Sequence, residues 1–482
     1  MQRSHFTQAF AVLLAMSASA FAQPPAPGGM PPGGNPPAGA PAGGPPPGMP
    51  PGGGMAMKTS ADIQYAVAID VVDGQPRTGT VGKVTGKLAA TTTTGVKVRA
   101  AETHGGGLYV HGRRPFTLAN SQIELSGGGL SDFDGIAAGA LVRDGATMTL
   151  RDVRVTTNGI VSSAAVATDR TTLKVHHSTL VANGGAAPSG YVRRIGPGMM
   201  EPPTPLGIVG TARAALIMGE AKAYFYDSTI IAEGWGALST DAAHGAYLEA
   251  DRCDIQVHRS GYGTYADNGA TVVINDSRMH VATFGGVIAG QASIALNNDK
   301  IVSEGNAVMI HDVMGSTADV GTLTIKGGEI RSTNAAILVK SANAEILVDG
   351  AKIGALNGDL LLGENNDDAN ATKVGGAKVA GIHATIRNTA LQGNVIHLDT
   401  DRGMAVDFEN ASLKSAIRGA TVKFDGASRW TATADSQVTL AGHVDTARID
   451  ALAGVAIHAR AGGSDATRGR VALQGGGSLD IE

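Results

Sequence analysis

The stretch "TVVINDSRMHV", Thr271–Val281, recurs in altered form along most of the chain and decides the fold. Val272 and Ile274 are two positions apart, which is the period of a strand, and the next inward apolar residue, Met279, follows five positions later. A side chain at that spacing can point to the same interior only if the chain turns before it. The stretch therefore predicts a strand, a tight turn and a second strand.

Eleven copies of this unit align when the last apolar residue is set as position 0. Positions −7 and −5 are apolar or small in every copy, and successive copies are mostly about 22 to 25 residues apart. A period of this length, made of strands and turns, indicates a solenoid whose coils bury their apolar sides by stacking. Position 0 is occupied by Ile123, Val155, Leu180, Ile230, Ile255, Met279, Ile301, Ile330, Ile353, Leu391 and Leu413.

Position −3 carries the residues that form the turn. Asn, Asp and Gly tolerate a left-handed backbone better than other residues do. His177 and Arg252 are the two exceptions. The remaining copies have Asn120, Asp152, Asp227, Asp276, Asn298, Gly327, Gly350, Asn388 and Asn410.

The pattern resembles the right-handed parallel β-helix of pectin-lyase-like proteins and of pertactin-like autotransporter passengers, in which an asparagine-rich turn joins two sheets. The register covers Phe116 to Leu413. The tail from Ser428 to Ile457 is similar to the C-terminal end of such passengers at Trp430, Ser436, Val438 and Leu440. The resemblance implies an all-β, right-handed parallel β-helix solenoid. It is closest to a passenger without its membrane β-barrel, so we do not expect this chain to transport itself.

The N-terminus has the features of an export signal. Arg3 precedes an apolar run, and Ala20 and Ala22 precede a cleavage site before Gln23. We predict a signal peptide at 1–22, a disordered Pro/Gly-rich tether at 23–57, a β-helix at 58–427 and its C-terminal end at 428–482. No other segment is long and apolar enough to predict a membrane span. The expected location is secreted or on the surface of a Gram-negative bacterium, with the periplasm as the alternative.

Charge and cysteine content limit the classes of partner. Lys and Arg total 38 against 42 Asp and Glu, and no basic run is present, so nucleic acid is not expected as a partner. A polysaccharide or a cell-surface or extracellular protein is expected instead. Cys253 is the only cysteine, which excludes an intrachain disulfide, and it occupies a position where small residues recur.

A third strand precedes position −7 in each coil and ends in acidic residues. Coils about 4.8 Å apart would place neighbours such as Asp241 and Asp267 side by side. Two interpretations stay open for Asp241, Asp267 and Asp312: strand-end turn residues, or ligands of calcium, which accepts several oxygen ligands in flexible geometry. If they are turn residues, exchange of Asp241 and Asp267 for Asn should cost little stability. The aligned acids are Asp144, Asp169, Asp241, Asp267, Asp312, Glu364 and Asp399.

Aromatic and basic residues near the third strand are the binding candidates. Tyr224 and Tyr226, at positions −6 and −4, should point outward, where their rings could stack on sugars or on a partner. Long loops at 188–211 and 363–382 flank the third strand. The complete set of binding candidates is Tyr224, Tyr226, Trp235, Tyr247, Tyr262, Tyr265, Arg193 and Arg194.

Enzyme signatures are weak. The sequence contains no HExxH, GxSxG or phosphate-binding loop, and it assigns no catalytic residue. We therefore expect an adhesin-like, exported binding protein without catalytic activity and without a required cofactor. The alternative is a polysaccharide lyase or glycoside hydrolase that acts in a groove beside the acidic row.

Overall fold

The fold is described from a computed structural model that covers residues 63–193, 198–313, 315–463, 465 and 467–482. The predicted signal peptide at 1–22, the tether at 23–57 and Arg194 lie outside these residues. Within them the chain is almost entirely β-structure, as predicted. Two single 3-10 turns, Thr204–Leu206 and Thr446–Arg448, are the helical segments of the described part.

The strands follow one another closely along the chain. The first half contains β1 (Ala66–Val72), β2 (Gln75–Thr78), β3 (Lys83–Thr85), β4 (Thr92–Thr94), β5 (Lys97–Ala100), β6 (Gly105–His111), β7 (Phe116–Ala119), β8 (Gln122–Leu125), β9 (Ala140–Val142), β10 (Thr147–Arg151), β11 (Arg154–Thr157), β12 (Ala165–Ala167), β13 (Thr172–His176), β14 (Thr179–Ala182), β15 (Arg213–Ile217), β16 (Lys222–Tyr226), β17 (Thr229–Thr240), β18 (Tyr247–Asp251), β19 (Asp254–Asp267), β20 (Thr271–Asn275) and β21 (Arg278–Val281). The second half contains β22 (Phe284–Ala289), β23 (Ser293–Asn297), β24 (Lys300–Ser303), β25 (Asn306–His311), β26 (Val320–Lys326), β27 (Glu329–Ser332), β28 (Ile337–Lys340), β29 (Asn343–Asp349), β30 (Lys352–Ala355), β31 (Asp359–Glu364), β32 (Ile382–Arg387), β33 (Ala390–Gln392), β34 (Asn394–His397), β35 (Met404–Glu409), β36 (Ser412–Ser415), β37 (Ile417–Phe424), β38 (Arg429–Ala432), β39 (Ser436–Leu440), β40 (Ile449–Ala451), β41 (Ala456–Ala461), β42 (Gly469–Ala472) and β43 (Ser478–Ile481).

Nearly all strands pair in parallel with their counterparts one coil away, which makes the fold a parallel β-helix. Thirty-nine strands are connected in one sheet, and β33, β36, β38 and β40 form a second. The long strands β17 and β19 run through a corner and join two faces of the helix. Antiparallel partners cover both ends, where β2 pairs with β1 and β42 pairs with β43.

The predicted register is confirmed residue by residue. Ile255 pairs with Ile230 in the preceding coil and with Met279 in the next. Position −5 forms a parallel ladder in which Ile274 lies between Ala250 and Leu296. All eleven residues at position 0 are buried in one continuous apolar core. Burial of these side chains supplies the main favourable free energy of the solenoid.

The turn at position −3 adopts the predicted left-handed backbone in every copy, with φ between 46° and 66°. His177 (φ 47°) and Arg252 (φ 52°) adopt it too, although neither residue type favours it. The fold therefore imposes the turn even where the sequence does not encode it.

Position −2 forms a second ladder, of hydrogen bonds between coils. The amide of Val153 donates to Ser178 Oγ at 3.0 Å, and the amide of Ser178 donates to Ser228 Oγ at 3.1 Å. Cys253 occupies the same position, and burial raises the pKa of its thiol to about 11. A protonated, buried thiol is unreactive, in agreement with a packing role.

The C-terminal segment continues the same core. Trp430 is buried and pairs with Leu413 on one side and Ile449 on the other. Its Nε1 donates to Ser415 Oγ at 3.1 Å. In the part of the chain described, no helix has the length and apolar character needed to cross a membrane.

Candidate functional site

Three tyrosines lie on the outer face of the sheet that carries positions −7 to −4. Tyr224 and Tyr226 are in β16, and Tyr247 is in the next coil in β18; all three are half-buried. The rings of Tyr224 and Tyr226 are nearly parallel, with centroids 6.4 Å apart, and Tyr224 lies 5.7 Å from Tyr247. His176, from the preceding coil, stacks on Tyr226 at 5.1 Å. We call these four residues the tyrosine platform.

Glu249 holds the platform in place. The hydroxyl of Tyr247 donates to Glu249 Oε2 at 2.7 Å, and the hydroxyl of Tyr226 donates to Oε1 at 3.4 Å. Burial, together with these contacts to Glu249, raises the pKa of Tyr247, so its hydroxyl stays a donor at neutral pH. The sequence prediction that Tyr224 and Tyr226 face outward agrees with the structure.

The other aromatic candidates lie under loops. Trp235 and Tyr262 are 2% and 1% exposed and pack with Met199 and Ile208 of the 188–211 loop. Tyr265 is packed beside Tyr262, with the ring centroids 5.2 Å apart. Trp235 and Tyr262 therefore contribute to packing between the loop and the third strand, and their rings are not part of the exposed platform.

The structure corrects the predicted acidic row. The acids do not all occupy the same position after the third strand, because some of them come one residue later than the others. Thr240 pairs with Ala266, so Asp241 and Asp267, each one residue later, are neighbours as expected. Ala266 aligns through Ile288 with Ile310. Asp267 follows Ala266 directly, whereas Asp312 comes two residues after Ile310, so Asp312 lies one position later than Asp267. Because a shift of one residue reverses the direction of a side chain, Asp312 does not extend the row of Asp241 and Asp267.

Asp241 and Asp267, both half-buried, belong to a charged cluster around the buried Arg213. Both carboxylates accept from the amide of Ala242, Asp241 through Oδ1 at 2.9 Å and Asp267 through Oδ2 at 3.4 Å. Arg213, which is 3% exposed, donates to Asp241 Oδ2 at 2.7 Å, and its guanidinium lies 4.1 Å from the centre of the Trp235 ring. Burial and the neighbouring Asp241 raise the pKa of Asp267 well above its usual range.

Both acids also serve the turn, as one of the two interpretations expected. The amide of Ala242 donates to Asp241 Oδ1 at 2.9 Å, and the amide of Ala243 donates to Asp267 Oδ1 at 3.2 Å. Their oxygens are therefore used by backbone amides and by Arg213. This arrangement does not leave an open set of oxygens for calcium.

Asp132 completes the cluster from the loop before β9. It is 4% exposed, and its Oδ1 accepts from the amide of Gly198 in the 188–211 loop at 2.7 Å. Burial raises the pKa of Asp132 to about 6, an effect that Arg213 partly offsets. Asp132 thus links two loops above the buried Arg213.

Arg193, another of the binding candidates, lies in the 188–211 loop and is not part of the tyrosine platform. Its Nε donates to Glu201 Oε2 at 2.6 Å. Glu201, Asn183 and Arg259 line an open polar cavity of about 210 Å³ between this loop and the coil beneath it. Arg193 therefore positions one wall of that cavity.

Asp312 lies farther along the same edge, beside the loop at 363–382. Its carbonyl accepts from the amide of Thr372 at 3.1 Å, and Val313 forms a β-bridge with Ala371. In the described residues, no three His, Cys, Asp or Glu side chains converge as a metal-binding group. Any cation here would need oxygens from other residue types as well.

The sequence analysis missed Arg213 and Asp132. A signal for Arg213 was present, because it is the one charged residue in the otherwise apolar segment "RAALIM" that begins with β15. Asp132 lies in a loop whose path the coil period does not predict.

No protein-family model matches this sequence, and no curated protein sequence matches it either. The functional proposal therefore depends on the residues and distances given above.

Proposed function

We propose that this chain is an exported, adhesin-like binding protein without catalytic activity, and that the tyrosine platform binds a saccharide unit of an extracellular polysaccharide or glycoprotein. The observation that carries the proposal is the pair of nearly parallel rings of Tyr224 and Tyr226 on an outer sheet face. Aromatic rings offer an apolar face with a polar edge, and they lose little conformational entropy on binding.

The surroundings of the rings suit a sugar. Tyr224 pairs with Lys174 in the preceding coil and with Glu249 in the next, so a cation and a carboxylate flank its ring. Tyr226 pairs with Asp251 in the next coil. A ring face with charged and hydroxyl groups around it can stack on the apolar face of a sugar and hydrogen-bond its hydroxyls.

The regular sides of the solenoid favour a long ligand. Beyond Asp251, the same column carries Asn275 and Asn297, joined by a hydrogen bond of 2.9 Å between their side chains. Amide groups repeated at the coil spacing of about 4.8 Å could bind successive units of an extended chain. The proposed location is the cell surface or the medium of a Gram-negative bacterium.

The alternative is a polysaccharide lyase or glycoside hydrolase beside Asp241 and Asp267. Glycosidase carboxyl groups are separated by about 5 to 5.5 Å in retaining enzymes and by about 6.5 to 9.5 Å in inverting ones. Asp241 and Asp267 both accept from the backbone amide of Ala242, at 2.9 and 3.4 Å, and Asp241 is also engaged by Arg213. These contacts favour a structural role for the pair and support the binding proposal.

The test measures binding and turnover on the same ligands. The chain is screened against acidic and neutral polysaccharides, and the best ligand is titrated calorimetrically with the parent protein and with Tyr224→Ala, Tyr226→Ala and Tyr226→Phe. We expect each Ala variant to weaken binding by about two- to tenfold, because stacking on a ring contributes about 0.5 to 1.5 kcal/mol. Tyr226→Phe keeps the ring and should weaken binding less.

Thr324→Ala is the matched control, because Thr324 lies in the same column of the sheet as Tyr224, several coils away. Binding equal in all variants would contradict the platform. New reducing ends or ultraviolet-absorbing unsaturated products would contradict the absence of catalysis and favour the hydrolase or lyase.

A further inference from the structure

Two carboxylates face each other in the loop after β25. Asp312 is 3% exposed, and its Oδ1 is buried without a hydrogen-bond partner. A methyl group built on Gly315 would lie 2.0 Å from that oxygen and 2.8 Å from Asp319 Oδ2. The two oxygens are therefore less than about 5 Å apart, a separation that two ligands of one Ca²⁺ ion can have at Ca–O distances of about 2.3 to 2.6 Å.

Glycines leave room between these oxygens. A methyl group on Gly290 would lie 3.6 Å from Asp312 Oδ1 and 3.5 Å from Asp319 Oδ2. Gly290 has φ 62°, so its backbone alone explains the glycine, whereas Gly315 is not in the left-handed region. At Gly315 a side chain is excluded by the carboxylates rather than by the backbone.

Further oxygen ligands come from the 363–382 loop. Thr372 Oγ1 accepts from the amide of Gly315 at 3.2 Å, and the amide of Thr372 donates to the Asp312 carbonyl at 3.1 Å. These two bonds hold the Thr372 hydroxyl against the Asp312 loop. Ca²⁺ takes about six to eight oxygen ligands in flexible geometry, and neutral oxygens and waters complete its shell beside carboxylates.

A neighbouring cation, Arg402, is directed toward other groups. Arg402 faces Asp399, with Nη1 3.5 Å from Oδ2, and its Nη2 donates to the Thr372 carbonyl at 3.4 Å. The described residues therefore provide no ion pair for the buried Asp312 carboxylate, and burial of an unpaired charge is costly.

We propose that Asp312 and Asp319, with the Thr372 hydroxyl, form a calcium site that fastens Asp312 and the 315–319 segment to the 363–382 loop. This site is separate from the tyrosine platform, and its existence does not depend on the proposed binding function. It also separates Asp312 from Asp241 and Asp267, with which the sequence grouped it.

The experiment uses the full chain after treatment with a chelator. Calcium chloride is titrated calorimetrically, and the melting temperature is recorded with calcium, with magnesium and with neither. We expect saturable binding of one Ca²⁺ per chain and a calcium-dependent rise in melting temperature, with Mg²⁺ binding at least tenfold more weakly because Mg²⁺ requires strict octahedral geometry.

Two variants and a matched control locate the site. Asp319→Asn should weaken calcium binding at least tenfold, and Gly315→Ala should abolish the calcium-dependent rise because its methyl group occupies the space between the carboxylates. Asp276→Asn removes the same charge from an exposed left-handed turn and should bind calcium like the parent. Absence of saturable binding, or equal binding by Asp319→Asn, would overturn the proposal.

Discussion

Asp299 accepts the amide hydrogen of Ser277 at 2.8 Å, in a ladder where serine hydroxyls normally accept it. One coil earlier, Ser277 Oγ accepts from the amide of Cys253 at 2.9 Å and donates to the Asn275 carbonyl at 2.7 Å. Asp299 is 3% exposed, and its Oδ2 has no hydrogen-bond partner. A carboxyl group thus replaces a hydroxyl in the buried ladder.

This replacement makes stability depend on pH. Burial raises the pKa of Asp299 to about 7, above the value of 3.8 for an exposed Asp. Between about pH 4 and pH 7 the folded state binds more protons than the unfolded state, so Asp299 costs stability progressively as pH rises. We expect Asp299→Ser to raise the free energy of unfolding by about 2 to 4 kcal/mol at pH 8 and much less at pH 4.

Urea denaturation of the parent and of Asp299→Ser at both pH values measures this difference. Asp152→Asn, at an exposed left-handed turn several coils away, is the control and should show no such pH-dependent gain. If Asp299→Ser raised the free energy of unfolding equally at pH 4 and pH 8, ionisation of Asp299 would not be the cause of the gain.

The register predicts opposite tolerances at two nearby positions. Ile274 is fully buried between Ala250 and Leu296, whereas Arg278 is exposed. Ile274→Asp loses apolar burial and places an unpaired charge in the core, so it should cost more than about 4 kcal/mol or prevent folding. Arg278→Asp should change stability by less than about 0.5 kcal/mol. Equal destabilisation in thermal melts would mean that the register is wrong.

Replacing Asp241 and replacing Asp267 should affect stability differently, because Asp241 pairs with the buried Arg213. Asp241→Asn removes the carboxylate that Arg213 contacts at 2.7 Å and leaves a buried cation short of its partner, so we expect a loss of about 3 to 5 kcal/mol. Asp267→Asn keeps the acceptor for the Ala243 amide and removes a repelling charge, so stability at pH 8 should be unchanged or higher.

We therefore expect the prediction from sequence, that Asn at both positions costs little stability, to hold only for Asp267. Denaturation of the two single variants and the double variant distinguishes the cases. If Asp241→Asn were as stable as the parent, the proposed pairing with Arg213 would be contradicted.

His177 gives a test of the imposed turn. It has φ 47° where seven of the other copies have Asn or Asp. His177→Asn should raise the free energy of unfolding by about 0.5 to 1 kcal/mol, because Asn adopts this backbone with less strain. His176→Asn, one residue earlier in an ordinary strand and stacked on Tyr226, should not stabilise the protein. A lower melting temperature for His177→Asn would refute this account.

The sequence by itself determined the solenoid, its core and nine of the eleven turns at position −3. Ile255 and Met279 could be aligned because the path from position −7 to position 0 has the same length in every copy, so side-chain direction follows from counting. The outward direction of Tyr224 and Tyr226 followed from the same count.

Only the tertiary structure decided which charged residues meet. The segment between position 0 and the third strand varies in length, so alignment by the final acid could not detect the shift of one residue between Asp267 and Asp312. Such a shift reverses a side chain's direction. The pairing of Arg213 with Asp241, and of Asp312 with Asp319, depends on loops whose course is set by packing against distant coils rather than by any local period.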